Sequence, residues 1–265
     1  MLPFNKIIAS AFGALSLALI SSPSDAAQAD KLKVLGFFQD GKYFAWQSYG
    51  VGDGAGIPYG RLEIINVSDD SWAKGSPFKT SFTEEDVNES QELSPRLWLA
   101  REEKRALDAL NEMAAPTLQE LGDVADYTIR FHMPAFQMGT IPKTARFSMV
   151  GYRLNYNSNS NTKAHRLELD EMQLPTGSDC SHDEGNQTGM KLSLIDEKAE
   201  TTTVLTEDKR VPKSRYCPLG YQIEKVVSHN NTDGSTSLAV ILRYTTRGFE
   251  GADGRLMAIT TRIAP

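Results

Sequence analysis

The stretch GFFQDGKYFAWQSYGVGDGAGIPYGRLEIINV, Gly36–Val67, sets two runs of aromatic and β-branched residues on either side of a loop rich in glycine and aspartate. Asp40-Gly41 has the composition of a tight turn with positive φ. Beyond it Tyr43 and Ala45 fall on one face of a strand, Phe44 and Trp46 on the other. The same order returns in DGSTSLAVILRYTTRGFEGADGRLMAITTRI, Asp233–Ile263. Each copy runs from Asp-Gly into an apolar strand holding an alanine (Ala45, Ala239) and a tyrosine (Tyr49, Tyr244). Each then crosses a loop of glycine and acidic residues and resumes with Gly-Arg-Leu. The spacing from Asp40 to Arg61 differs by one residue from that between Asp233 and Arg255. The pair reads as a repeated strand, long loop, strand unit, with chance likeness as the alternative.

Working outward, short runs of aromatic and β-branched residues punctuated by Gly, Asn and Asp-Gly predict strands near 33–38, 42–50, 59–67, 126–133, 144–156, 164–174, 188–196, 200–206, 221–229, 236–246 and 255–263. One helical insertion is predicted over 94–122. It opens with Ser94-Pro95 as N-cap and first turn, carries Leu99, Ala106, Leu110, Met113 and Leu121 near helical spacing, and ends at Gly122. Pro116 is expected to kink this helix or divide it. The fold class is therefore mainly β, antiparallel, with one helix. The Asp-Gly-x-Tyr-x-Ala pattern resembles a blade of TolB-type propellers, which implies blade-like units. About a dozen strands make too few four-stranded blades for a regular propeller, so a β-sandwich stands equally.

The first segment, residues 1–29, reads as a cleaved signal peptide: one early lysine, a weakly apolar run from Ile7 to Ile20, then Ala27-Gln28-Ala29 as a small-x-small site. The run is too short for a bilayer span, and no second one follows, so residues 30–265 are expected to form one exported β domain. The expected compartment is the periplasm of a Gram-negative bacterium. A formal charge of −6 and a pI near 5.3 argue against a nucleic-acid partner, which needs a concentrated basic surface. Cys180 and Cys217 are the only cysteines, and in an oxidising compartment the favoured reading is a disulfide. A metal site drawing on Cys180, His182, Asp183 and Cys217 is the competing one.

The chain contains no Gly-x-Ser-x-Gly elbow, no His-Glu-x-x-His helix, no phosphate loop and no dinucleotide fingerprint. The four histidines, His132, His165, His182 and His229, are dispersed. No cofactor is expected; calcium, held by Asp53, Glu250 and Asp253, is the one metal the loops suggest. The leading expectation is a noncatalytic module that binds a protein or cell-envelope component through a loop face carrying Tyr49, Asp53, Tyr59, Phe249 and Glu250. The rival is an envelope hydrolase of glycan or peptide using carboxylates or His182.

Four segments together carry a family resemblance: Gly36–Ala45, Tyr49–Tyr59, Ser214–Tyr221 and Gly248–Arg255. With these the chain resembles the bacterial predicted secreted proteins of domain of unknown function 2259. It departs within Gly36-Phe37-Phe38, where the family pattern has serine in place of the second aromatic. The resemblance implies export and one continuous architecture, and it supplies no catalytic residue.

Overall fold

The computed structural model of the chain describes residues 29–52, 56–80, 82–86, 93–132, 144–148, 164–175, 180, 186–197, 199–248 and 251–265. Strands β1 (Lys31–Phe38), β2 (Tyr43–Val51), β3 (Pro58–Asn66), β4 (Ser71–Trp72) and β5 (Phe78–Lys79) precede helix α1 (Pro95–Leu121). After it come β6 (Val124–Ala125), β7 (Thr128–His132), β8 (Thr144–Ser148), β9 (Ala164–Pro175), β10 (Asn186–Asp196), β11 (Thr201–Glu207), β12 (Gly220–Asn230), β13 (Thr236–Arg247) and β14 (Ala252–Ile263). They pair into three antiparallel sheets. The first runs β4-β3-β2-β1-β6 with β5 also on β3, the second β11-β10-β9-β8, and the third β14-β13-β12-β7. Among the described residues the sheets form neither a closed barrel nor a propeller.

The third sheet is the middle layer, and strand alternation shows why. From β13, Leu238, Val240, Leu242 and Tyr244 join Leu167, Met190 and Leu192 of the second sheet in one core. The intervening Ala239 and Ile241 join Phe37, Phe44, Trp46 and Ile65 of the first sheet in another. A strand covered on both faces needs apolar residues at successive positions, which is what Leu238-Ala239-Val240-Ile241-Leu242 supplies. The first sheet turns its other face, with Phe38, Ala45, Leu62 and Ile64, toward Leu110 and Ala114 of α1. The layer order is thus helix, first sheet, third sheet, second sheet.

Helix α1 is continuous, and Pro116 lies inside it without dividing it. The proline removes one backbone donor, while the stripe Glu102, Ala106, Leu110 and Ala114, each four residues apart, stays buried. Gly60 allows close docking: a Cβ there would lie 2.6 Å from Leu110 Cδ1. The predicted apolar positions Leu99 and Met113 are exposed instead, because they flank that stripe.

The sequence echo corresponds to two three-stranded meanders, β1-β2-β3 and β12-β13-β14, facing each other in adjacent layers. Their Asp-Gly turns are tied together. Thr232 donates from its backbone N–H (3.0 Å) and its hydroxyl (2.6 Å) to the Asp40 carboxylate, and the Ser237 hydroxyl donates to the Gly41 carbonyl (2.8 Å). Gly41 sits at φ 76° with a would-be Cβ 2.1 Å from Asn231 Oδ1, so only glycine fits that junction.

Candidate functional site

Because β2 and β13 both start at this joint, the feet of the glycine loops that follow them fall at the far end of the stack. The first loop closes with Gly52 N–H donating to the Ile57 carbonyl (2.8 Å), the second with Gly248 N–H donating to the Gly251 carbonyl (2.7 Å). Gly52, Ile57, Gly248 and Asp253, the feet of both loops, line one open cleft of about 1040 Å³.

Asp30 forms the floor between the two meanders. Its carboxylate accepts from the Tyr59 hydroxyl (2.7 Å), from Arg255 Nη1 (3.3 Å) and from the Leu256 N–H (3.3 Å), while its own N–H donates to the Gly254 carbonyl (2.7 Å). Arg243, buried beneath, donates to the Asp30 carbonyl (3.0 Å), the Gly254 carbonyl (3.2 Å) and Glu224 Oε2 (3.1 Å). The chain just after the predicted leader is therefore built into the cleft. Burial pushes the Asp30 carboxyl above the usual carboxylate range, against the pull of Arg255 and Tyr59.

The two Gly-Arg-Leu arginines, which mark the echo in sequence, meet in this cleft. Arg61 pairs with Glu63 and lies over the Trp72 ring (5.4 Å); Arg255 lies over the Tyr59 ring (5.2 Å) and reaches Asp253 (3.4 Å). A third wall comes from the turn at Lys213–Arg215 and the segment after it. Cys180 and Cys217 are joined by a disulfide with their Cα atoms 5.8 Å apart. Arg215, buried, donates to Asp208 Oδ2 (2.6 Å) and the Tyr221 hydroxyl (3.2 Å), and burial pushes Tyr221 up to about 12. With both ends so held, Tyr216 at φ 55° is left 75 % exposed at the cleft.

Of the residues expected on the loop face, Tyr59 lines the cleft and Tyr49 lies half-buried in β2, away from its lining. Asp53, Phe249 and Glu250 lie outside the described residues, as do His182 and Asp183. Asp253, the remaining calcium candidate, turns its carboxylate to Arg255. Among the described residues no group of three His, Cys, Asp or Glu side chains is placed to hold a metal. His165 is buried with Asp196 at 3.9 Å, and His229 bridges the Asp126 carbonyl (2.6 Å) and Asp40 (3.3 Å) in the core-side joint. Sequence reasoning missed Asp30, Trp72, Lys79 and Lys213 as cleft residues. The repeated Gly-Arg-Leu was the one signal that pointed there.

Glu63 and Asp70 join Asp30 as carboxyls that burial pushes up, opposed by Arg61 at Glu63 and by the Thr260 hydrogen bonds at Asp70. A carboxyl with a raised folded-state pKa binds its proton more tightly when folded, so its stabilisation is complete at low pH and lost as pH rises through the raised value. Exposed Asp40 and Asp233, held low by Thr232 and Ser235, act in the opposite sense at still lower pH. The urea midpoint should therefore rise as pH falls from neutrality toward the ordinary carboxylate range, then drop below it. Asp70→Asn should flatten the rise; a midpoint that only falls on acidification would refute this balance.

No helix among the described residues is long and apolar enough to cross a membrane. No significant match was found among curated proteins or among solved structures. The family model described as "Predicted secreted protein (DUF2259)" matches residues 45–262, from within β2 to near the end of β14, taking in the helix and the disulfide wall but not β1, and the chain belongs to that family.

Proposed function

We propose that the protein is a noncatalytic binding module, exported to the periplasm of a Gram-negative bacterium with residues 1–29 removed, that takes a cell-envelope component into this cleft. The observation that supports the reading is that the feet of both glycine loops and the disulfide wall line one open cavity. Its volume is at the upper end of ligand pockets, roughly 300–1,000 Å³. The two carboxylates lining it among the described residues, Asp30 and Asp253, both face Arg255. That arrangement favours recognition over acid–base hydrolysis, which needs one carboxyl to give a proton while the other attacks or activates water.

Ser214 is exposed on the third wall, so Ser214→Trp places bulk in the opening without altering charge. Fractionated envelope material should raise the unfolding temperature of the exported protein, and the variant, equally stable alone, should lose that rise. A rise of the same size in both proteins, or in neither, counts against the cleft as the binding site.

A further inference from the structure

We infer that the ligand of this cleft is an acidic oligosaccharide, an extension that rests on the binding reading above. The first observation is charge. The whole chain carries −6, yet among the described residues five cationic side chains, Arg61, Lys79, Lys213, Arg247 and Arg255, line the cleft against two lining carboxylates, Asp30 and Asp253, and the Glu63 that pairs with Arg61. Cations gathered in a concave wall attract anions more strongly than the same charges on a flat surface, because the low-dielectric walls focus their field. Arginine further matches carboxylate groups through its planar fork of donors.

The second observation is the pair of aromatic side chains at the lining that the fold leaves open. Trp72 is 53 % exposed and Tyr216 75 % exposed. Trp72 sits on a two-residue strand with Arg61 over its ring, and Tyr216 stands between the Arg215 anchor and the disulfide. Both are therefore presented by fixed backbone. Exposed aromatic surfaces beside cations suit a molecule with apolar C–H faces and acid groups in alternation, which is the chemistry of a hexuronate chain. An acidic peptide offers the charge without the flat faces, and a neutral glycan the faces without the charge. The third observation is size: about 1040 Å³, open to solvent, accommodates several sugar rings and suits a chain better than a single ring.

The test is calorimetric titration of the exported protein at low salt with an oligogalacturonate, a neutral oligosaccharide of equal length, and polyglutamate. The acidic sugar should bind about tenfold tighter than either control, and added salt should weaken it. Lys79→Gln and Arg247→Gln should each weaken it by about two- to fivefold, as for exposed ion pairs, and Trp72→Ala by about tenfold. Polyglutamate binding as tightly as the sugar, with Trp72→Ala silent, overturns the proposal, and so does equal affinity for the neutral chain. If no saccharide binds but an envelope fraction still gives stabilisation that Ser214→Trp removes, the acidic-sugar inference falls and the binding module stands. If nothing binds and Ser214→Trp changes nothing, both fall.

Discussion

Arg243→Met should destabilise the fold by about 3–5 kcal/mol, the usual result of stripping one partner from a buried ion pair. Arg243 and Glu224 are almost fully buried, with side-chain exposures of 4 % and 9 %, in neighbouring strands of the middle sheet. Methionine retains the length of the stem but strips the guanidinium from the Glu224 carboxylate and the Asp30 carbonyl, and leaves the Gly254 carbonyl with the Asp30 N–H. Since a domain is stable by only about 5–15 kcal/mol, the urea midpoint should fall by a large fraction. Combining Arg243→Met with Glu224→Leu separates the contributions. Recovery of most of the loss would show that the orphaned carboxylate dominates, whereas no recovery would place the effect in the lost backbone contacts, above all at the Asp30 carbonyl. A single variant within about 1 kcal/mol of wild type would rule out a central role for this cluster.

The second large effect is expected at the disulfide. Cys180 and Cys217 are 37 residues apart, and closing a loop of that length restricts the unfolded chain by about 4 kcal/mol in the chain-entropy account. Replacing both cysteines by alanine should lower the melting temperature by about 8–16 °C for a chain of this size. Wild type melted in reductant should converge on the same value. The effect is bounded from above because the wall has other anchors: Arg215 to Asp208, and Thr188 to the Pro218 and Leu219 carbonyls (3.1 and 3.2 Å). A shift of a degree or two would mean that those anchors hold the segment, and the unfolded chain, without the bridge.

How far these features were legible differs from one to the next. The long central strands were readable because they are covered on both faces, so the apolar runs in Phe44–Trp46 and Leu238–Leu242 are imposed by local geometry. Strands β4, β5 and β6, of two residues each, escaped because they are too short to carry a period. The persistence of α1 through Pro116 escaped too, since docking on the first sheet outweighs one lost hydrogen bond. The echo of Gly36–Val67 in Asp233–Ile263 showed two like hairpins, but not that they face each other.

By itself, then, the sequence determined that the chain is mainly β with one helix, that its two cysteines had only each other to pair with, and that two stretches echo each other in order and spacing. These follow from side-chain period, composition and count, which act over a few residues. Only the tertiary structure decided which sheet lies in the middle, that Asp30 is clasped by Tyr59 and Arg255, and that Arg61, Trp72, Lys79 and Tyr216 line one cleft with both loop feet. Those groups are brought together by layers stacking on both faces of β13, and contacts between such distant segments leave no periodic trace in any one of them.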